Sequence, residues 1–348
     1  MIVTLILFVI ILGVTVFVHE LGHFLFAKLV GVHVYEFSIG MGPAIVKKVA
    51  KDKTVYAIRA IPIGGFVSLA GEETNIDLDK QKGHNLQDKT VFERFLVMFM
   101  GVGFNFIFAF LVLLFSAFIY GSSNLKPIIT ETVEGYPAYN AGLTGGDEVL
   151  RINGHKVTYL DDISLYMATE DLSKELKFEV LKQDGTTRTY NVLPEKQITS
   201  DGDESYVIGI TLASNVERGF IASIVNTTRK VGAIFKQMFV VLGNLFTGKI
   251  SVSKLSGPIG IYSVVGEMRT LGLNAILYLI ALLCINVGVI NLLPFPAFDG
   301  GRILFLIIEK VKGSPVNPKV ENIIHSIGFI LLILLMVYVT FNDILRLF

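Results

Sequence analysis

The first thirty residues form one apolar run, Met1 to about Val30, interrupted only by His19, Glu20, His23 and Lys28. A bilayer is crossed by about 20 mostly apolar residues, so this run is long enough to span one. Ionisable groups at that depth are costly and mark a function. The interruption reads His19-Glu20-Leu21-Gly22-His23, an H-E-x-x-H pattern. On a helix, positions i and i+4 share a face, so both imidazoles can hold one Zn²⁺. The Glu20 carboxylate beside them can take a proton from a water that the ion polarises. The plainer alternative is a pair of satisfied core histidines, and a second motif near the other end of the chain decides against it.

Three further runs reach spanning length: Phe95–Tyr120, Thr270–Phe298 and about Asn322–Asn342. With 52% hydrophobic and 17% charged residues, the 348-residue chain is too apolar for a soluble protein of its size. The expected fold is a polytopic α-helical membrane protein with four transmembrane helices and the lipid bilayer as its surroundings. No basic arm points to nucleic acid. Cys284 is the only cysteine, which excludes disulfides and Cys-based zinc sites within one chain and reads as a small buried hydrophobe. Met1-Ile2-Val3-Thr4 has no positive charge, so the first run is not expected to be a cleaved signal peptide. Lys28, Lys47 and Lys48 follow the first span, and Arg302, Lys310, Lys312 and Lys319 crowd the link between spans three and four. The positive-inside rule then puts 31–94 and 302–320 in the cytoplasm, and 121–269 with both termini outside.

Between spans one and two the periodicity changes. Val34–Ile39, Ala44–Val49, Thr54–Ile61 and the Pro62–Gly71 stretch are rich in β-branched and aromatic residues and punctuated by Gly and Pro, which predicts a small antiparallel sheet. Such a sheet is either a cap or, through a free edge, an acceptor for an extended peptide. Residues 72–93 read as an exposed connector, with His84 at the surface. In span two, Gly101-Val102-Gly103-Phe104-Asn105 suits close helix approach. Asn105 there reads equally as a hydrogen bond between helices or as a substrate contact.

Residues 126–213 read as a separate α+β unit. The run Pro137-Ala138-Tyr139-Asn140-Ala141-Gly142-Leu143 leads to Gly146-Asp147-Glu148-Val149-Leu150-Arg151-Ile152-Asn153-Gly154. A helix is expected over 161–169, with strands 176–180 and 188–192 about the Asp184-Gly185 turn. This resembles a PDZ domain of the circularly permuted bacterial type. The resemblance makes Val207-Ile208-Gly209-Ile210 the peptide-end-binding loop. Residues 215–250 suggest an amphipathic helix, and Ser256–Ile261 a loop. The division expected is 1–120 for the first half of a core, 121–214 for the inserted unit, 215–269 for helix and loop, and 270–348 for the second half.

The third run ends Asn291-Leu292-Leu293-Pro294-Phe295-Pro296-Ala297-Phe298-Asp299-Gly300, and Asp299 is its first charge. Spans one and three enter from the same side. Counting helical rise puts Asp299 at the depth of His19 and His23, where it supplies a third ligand and leaves a fourth position open for catalysis. A metal transporter would use the same ligands but has no need of Glu20, and a silent scaffold has no need of an open site.

H-E-L-G-H, N-x-x-P-x-P-x-x-D-G and a PDZ between them resemble the site-2 protease family. Within it, the chain is similar to the bacterial intramembrane zinc metalloproteases that regulate sigma-E-type stress responses. It departs in having one PDZ where Gram-negative relatives have a tandem pair. The resemblance implies zinc on His19, His23 and Asp299, with Glu20 as base. It also implies that Asn291 contacts the substrate backbone and that a membrane-reentrant β-element holds the unwound substrate near Gly65, Phe66 and Val67. The implied substrates are single-span membrane proteins already cut by another protease, such as anti-sigma factors or signal-peptide remnants. The implied location is the bacterial cytoplasmic membrane, with the PDZ outside and the active site toward the cytoplasm.

Overall fold

The fold is that of a computed structural model describing residues 1–72, 83–123, 126–198, 204–212 and 216–346. In chain order the first elements are α1 (Ile2–Leu29), β1 (Val34–Val49), β2 (Val55–Leu69) and α2 (Val91–Tyr120). Then come β3 (Ser122–Ser123), β4 (Glu131–Thr132), α3 (Pro137–Asn140), β5 (Glu148–Ile152), β6 (His155–Lys156), α4 (Leu160–Thr169), β7 (Leu176–Leu181) and β8 (Thr187–Val192). They are followed by β9 (Glu195–Ile198), β10 (Glu204–Val207), β11 (Ile210–Thr211), β12 (Val216–Glu217) and α5 (Phe220–Phe246). The last are α6 (Pro258–Thr270), α7 (Leu273–Leu292), α8 (Asp299–Lys312) and α9 (Pro318–Leu345). Two compact units result: Met1–Leu113 with Val252–Phe348, and Leu114–Ser251.

In the first unit, α1, α2, α7 and Lys319–Leu345 of α9 are long and apolar enough to cross a membrane. The chain is a polytopic membrane protein. Lipid tails are as apolar as leucine, so helices there associate through close contact rather than hydrophobic drive. Gly22 of α1 shows this: a methyl added to it would overlap the Met100 carbonyl and the Gly101 Cα of α2. α2 begins with a reciprocal cap, in which Thr90 N–H donates to Glu93 Oε2 at 2.8 Å and Glu93 N–H donates to Thr90 Oγ1 at 3.3 Å.

The strands between α1 and α2 are longer than expected, and bent. Val55–Arg59 pairs with Ala44–Val49, and Gly65–Leu69 pairs with Val34–Ile39, while Glu36–Ile39 also lies beside Val55–Ile58 in rising register. The two strands thus fold into four arms, ordered 44–49, 55–59, 36–39, 65–69. Gly40, Gly42 and Gly64 take left-handed φ values of 82–86° at the bends, where a β-carbon is strained. The last arm has a neighbour on one side only among the described pairings. Phe24 and Ala27 of α1, Val34 and Phe37 of β1, Leu69 of β2, Val97 of α2 and Ile303 of α8 form the core beneath it.

The sequence reading needs correction around the third span. It is not one run from 270 to 298. A break at Gly272, φ 95°, separates α6 from α7, and α7 stops at Leu292. Pro294 and Pro296 lack N–H groups and disfavour helical backbone before them. The expected loop 256–261 is already helical from Pro258, where the buried Asp343 carboxylate accepts the Gly260 N–H at 2.8 Å. The link after Asp299 is the amphipathic helix α8, with Ile303 and Leu306 buried.

The second unit has a sheet in the order β6-β5-β7-β8. Ile129, Leu143, Val149, Ile152, Ile163, Leu176, Phe178, Val180, Val192 and Ile208 fill its core. Asp162, fully buried, accepts the N–H groups of Thr158 and Tyr159 ahead of α4 and pairs with Lys236 of α5 at 2.6 Å. The amphipathic helix α5 therefore belongs to this unit. Residues 213–215 of the expected boundary lie outside the described residues, as do 73–82 of the connector. His84 is exposed, and its Nδ1 donates to the Gly31 carbonyl at 3.0 Å.

Candidate active site

His19 and His23 stand one turn apart on the buried face of α1. Their Nε2 atoms are 3.2 Å apart, and Asp299 Oδ2 lies 3.1 Å from the first and 3.3 Å from the second. Ligands at about 2.0–2.2 Å around a tetrahedral zinc are themselves about 3.3 Å apart, so these spacings fit the ion. Hydrogen bonding does not satisfy the carboxylate: buried Asp299 Oδ2 has no well-oriented donor, despite the two nitrogens beside it. The donor set, two imidazoles and one carboxylate, is that of a hydrolytic zinc site. His23 Nδ1 donates to the Val97 carbonyl of α2 at 2.8 Å, which fixes the ring and turns the Nε2 lone pair toward Asp299. Gly101 leaves the space for that ring, because a methyl there would overlap it.

Asp299 reaches this point by a turn, not by helical depth. After α7 the chain doubles back over 293–298, and Asp299 is the first residue of α8. Ala297 holds a left-handed φ of 80°, unusual for a residue with a β-carbon, and donates its N–H to His325 Nδ1 of α9 at 3.0 Å. Gly300 and Gly301 let α8 start directly against the carbonyls of Leu292, Leu293 and Phe295. Gly328, one turn beyond His325, lies against Pro296.

A cavity of about 360 Å³ opens onto these groups, walled by His19, Glu20, His23, Phe66, Val67, Asn291 and Asp299 among others. Gly65 borders it, with its β-position 3.7 Å from Glu20 Cγ. Asn105 does not line it and is fully buried in α2. In the second unit, Ile208 is part of the core and its carbonyl accepts the Ala138 N–H. The Gly209 carbonyl accepts from Val133, and Ile210 pairs with Thr132. Sequence reasoning missed the Arg302–Glu72 ion pair at the cavity wall, having counted Arg302 only as a topology signal. It also missed the Val97 carbonyl, which no residue type could have signalled.

Comparison with known proteins gives the chemistry a family. The model of peptidase family M50 matches residues 7–335. A Fusobacterium nucleatum protein provisionally named a zinc metalloprotease is 37% identical over 350 residues, covering 99% of each chain. Zinc metalloprotease RasP of Bacillus licheniformis is 33% identical over 423 residues, and the Enterococcus faecalis protein named "Probable protease eep" is 33% identical over 430, again covering 99% of each chain. A match over nearly the whole length, on a chain with four membrane-spanning helices, assigns this protein to peptidase family M50, the site-2 proteases, as a zinc-dependent membrane metalloprotease.

Proposed function

We propose that His19, His23 and Asp299 hold the zinc of this protease, that Glu20 is its general base, and that its substrates are single-span membrane proteins first trimmed by another protease. The observation that carries this reading is the convergence of three ligand atoms within 3.3 Å of one another beside Glu20, on a cavity walled by a strand edge. When bound, the ion supplies a Lewis acid that makes water nucleophilic near neutral pH. Glu20 takes the proton of the attacking water and returns it to the leaving amine. A scissile bond inside a helix is shielded by its own backbone, and unpaired amide groups in lipid cost several kcal/mol. The Gly65–Leu69 arm answers that need by adding the unwound substrate as one more strand, with Asn291 offering its amide from the same cavity. The 126–213 unit is read as a PDZ domain, with Ile208, Gly209 and Ile210 in its peptide-end loop. By the basic residues flanking the spans, that unit lies outside a bacterial cytoplasmic membrane and the zinc site toward the cytoplasm.

Glu20→Gln should keep zinc and lose about 10²–10⁴-fold in cleavage of a co-expressed single-span substrate, the range for losing a general base. Asp299→Asn should lose zinc as well. Zinc content unchanged by Asp299→Asn would place the third ligand elsewhere, and cleavage unchanged by Glu20→Gln would remove that residue from the mechanism.

A further inference from the structure

A metal-bound imidazole keeps a second ring nitrogen, whose N–H needs an acceptor. His23 has one built in, the Val97 carbonyl. His19 does not: its Nδ1 is buried and without a hydrogen-bond partner. Asn105 is in the same condition. It is 0% exposed, in a helix flanked by lipid, and neither Oδ1 nor Nδ2 has a partner. A buried amide that makes no bond is expensive, so the residue is there for a group not yet engaged.

Two independent registers bring these orphans to one level. On α2, the Val97 carbonyl meets His23, and Gly101 meets both Gly22 and the His23 ring. α1 and α2 run antiparallel, so one turn back from His23 gives His19, and one turn on from Gly101 gives Asn105. Val97, Gly101 and Asn105 lie at i, i+4 and i+8, one stripe of the helix, and the first two already face α1. The second register runs through α7. Thr15 of α1 meets Cys284 at 3.7 Å, so one turn further along each helix His19 stands level with Gly288. The Phe106 ring of α2 packs on Gly288, which puts its neighbour Asn105 at the height of His19 by a separate route.

We propose that Asn105 is the hydrogen-bond partner of His19 in the zinc-loaded enzyme, its Oδ1 accepting the Nδ1–H and orienting the ring. This rests on the reading of His19 as a ligand. Asn105 is then a positioning residue for the metal rather than a substrate contact. An amide suits the task because it offers both an acceptor and a donor, and so serves the imidazole whichever nitrogen carries the proton. α2 would in this way orient both histidines of α1, one through backbone and one through a side chain.

The test is zinc affinity of the purified full-length protein in detergent, measured by chelator competition, with folding followed by thermal melting. Asn105→Leu, which fills the space but cannot accept, should weaken zinc binding about tenfold, the low end for losing such a partner. Asn105→Asp keeps an acceptor in the same place and should bind zinc within threefold of wild type. Zinc affinity of Asn105→Leu within twofold of wild type, with a raised KM for a membrane substrate, would overturn the proposal in favour of substrate contact. Equal weakening by Leu and Asp would overturn it as well, and the Asp variant decides should the Leu variant fail to fold. His19→Ala is the control: if zinc survives it, the ligand reading itself falls. If zinc is lost there but not in Asn105→Leu, only the role of Asn105 falls.

Discussion

Single atoms decide the geometry of this site. Gly101 sits where any side chain would strike the His23 ring, so Gly101→Ala should cost about tenfold or more in zinc affinity, read by chelator competition, with the fold retained. The His325 bond to the Ala297 N–H holds a strained turn two residues before Asp299. His325→Leu leaves that N–H unpaired and should lower zinc occupancy, while Ala297→Gly, free of the left-handed penalty of about 1–2 kcal/mol, should be tolerated. A melting curve and a metal assay on both variants would check this. The meeting of His19, Glu20, His23 and Asp299 at one cavity was legible in the sequence because H-E-x-x-H and the Asp-Gly after Pro-x-Pro are patterns of residue type. Their supports were not. A backbone carbonyl such as that of Val97 has no letter of its own, and His325, between Asn322 and Ser326 at the start of the last span, belongs to no pattern that marks it.

At the scale of elements, strands and helices were readable, but their partners were not. Alternation and turn residues announced β-structure between α1 and α2, yet the folding of two strands into four arms depends on pairings up to 35 positions apart, such as Val34 with Leu69. In the same way, two prolines announced an end to α7, but whether Asp299 arrived by depth or by a reversal depended on packing against α9. The edge arm makes a specific forecast. Consecutive N–H groups along a strand point to opposite sides, so of Phe66→Pro and Val67→Pro one removes an outward N–H and the other an inward one. One variant should express normally and lose cleavage of a transmembrane substrate, and the other should accumulate poorly. Cleavage retained in both would dismiss strand addition as the way substrate is held.

For the whole molecule, the two compact units have separate cores, and the main cluster of the second runs from Ile129 to Ile208. A fragment of residues 126–246, which keeps α5 and the Lys236 partner of buried Asp162, should therefore fold by itself and melt cooperatively by circular dichroism. Within it, Lys182 is half-buried, which favours its neutral form, but its bond to Asp147 prevails and holds the ammonium above the usual lysine range. A raised value stabilises the fold below about pH 10.4 and ceases to do so as pH climbs past the folded-state value. The melting temperature should thus fall only in strong alkali, and equal melting at pH 9 and 11 would exclude that pair as a support. The seam between α1 and α2 has a consequence for traffic. The two helices meet backbone to backbone at Gly22, and the His23 ring is tied across the join, so prising them apart would pull the proposed zinc ligands out of place before any guest arrived. On the proposed ligation, a membrane-embedded guest would have to come in elsewhere, leaving α1 and α2 to act as the fixed jamb.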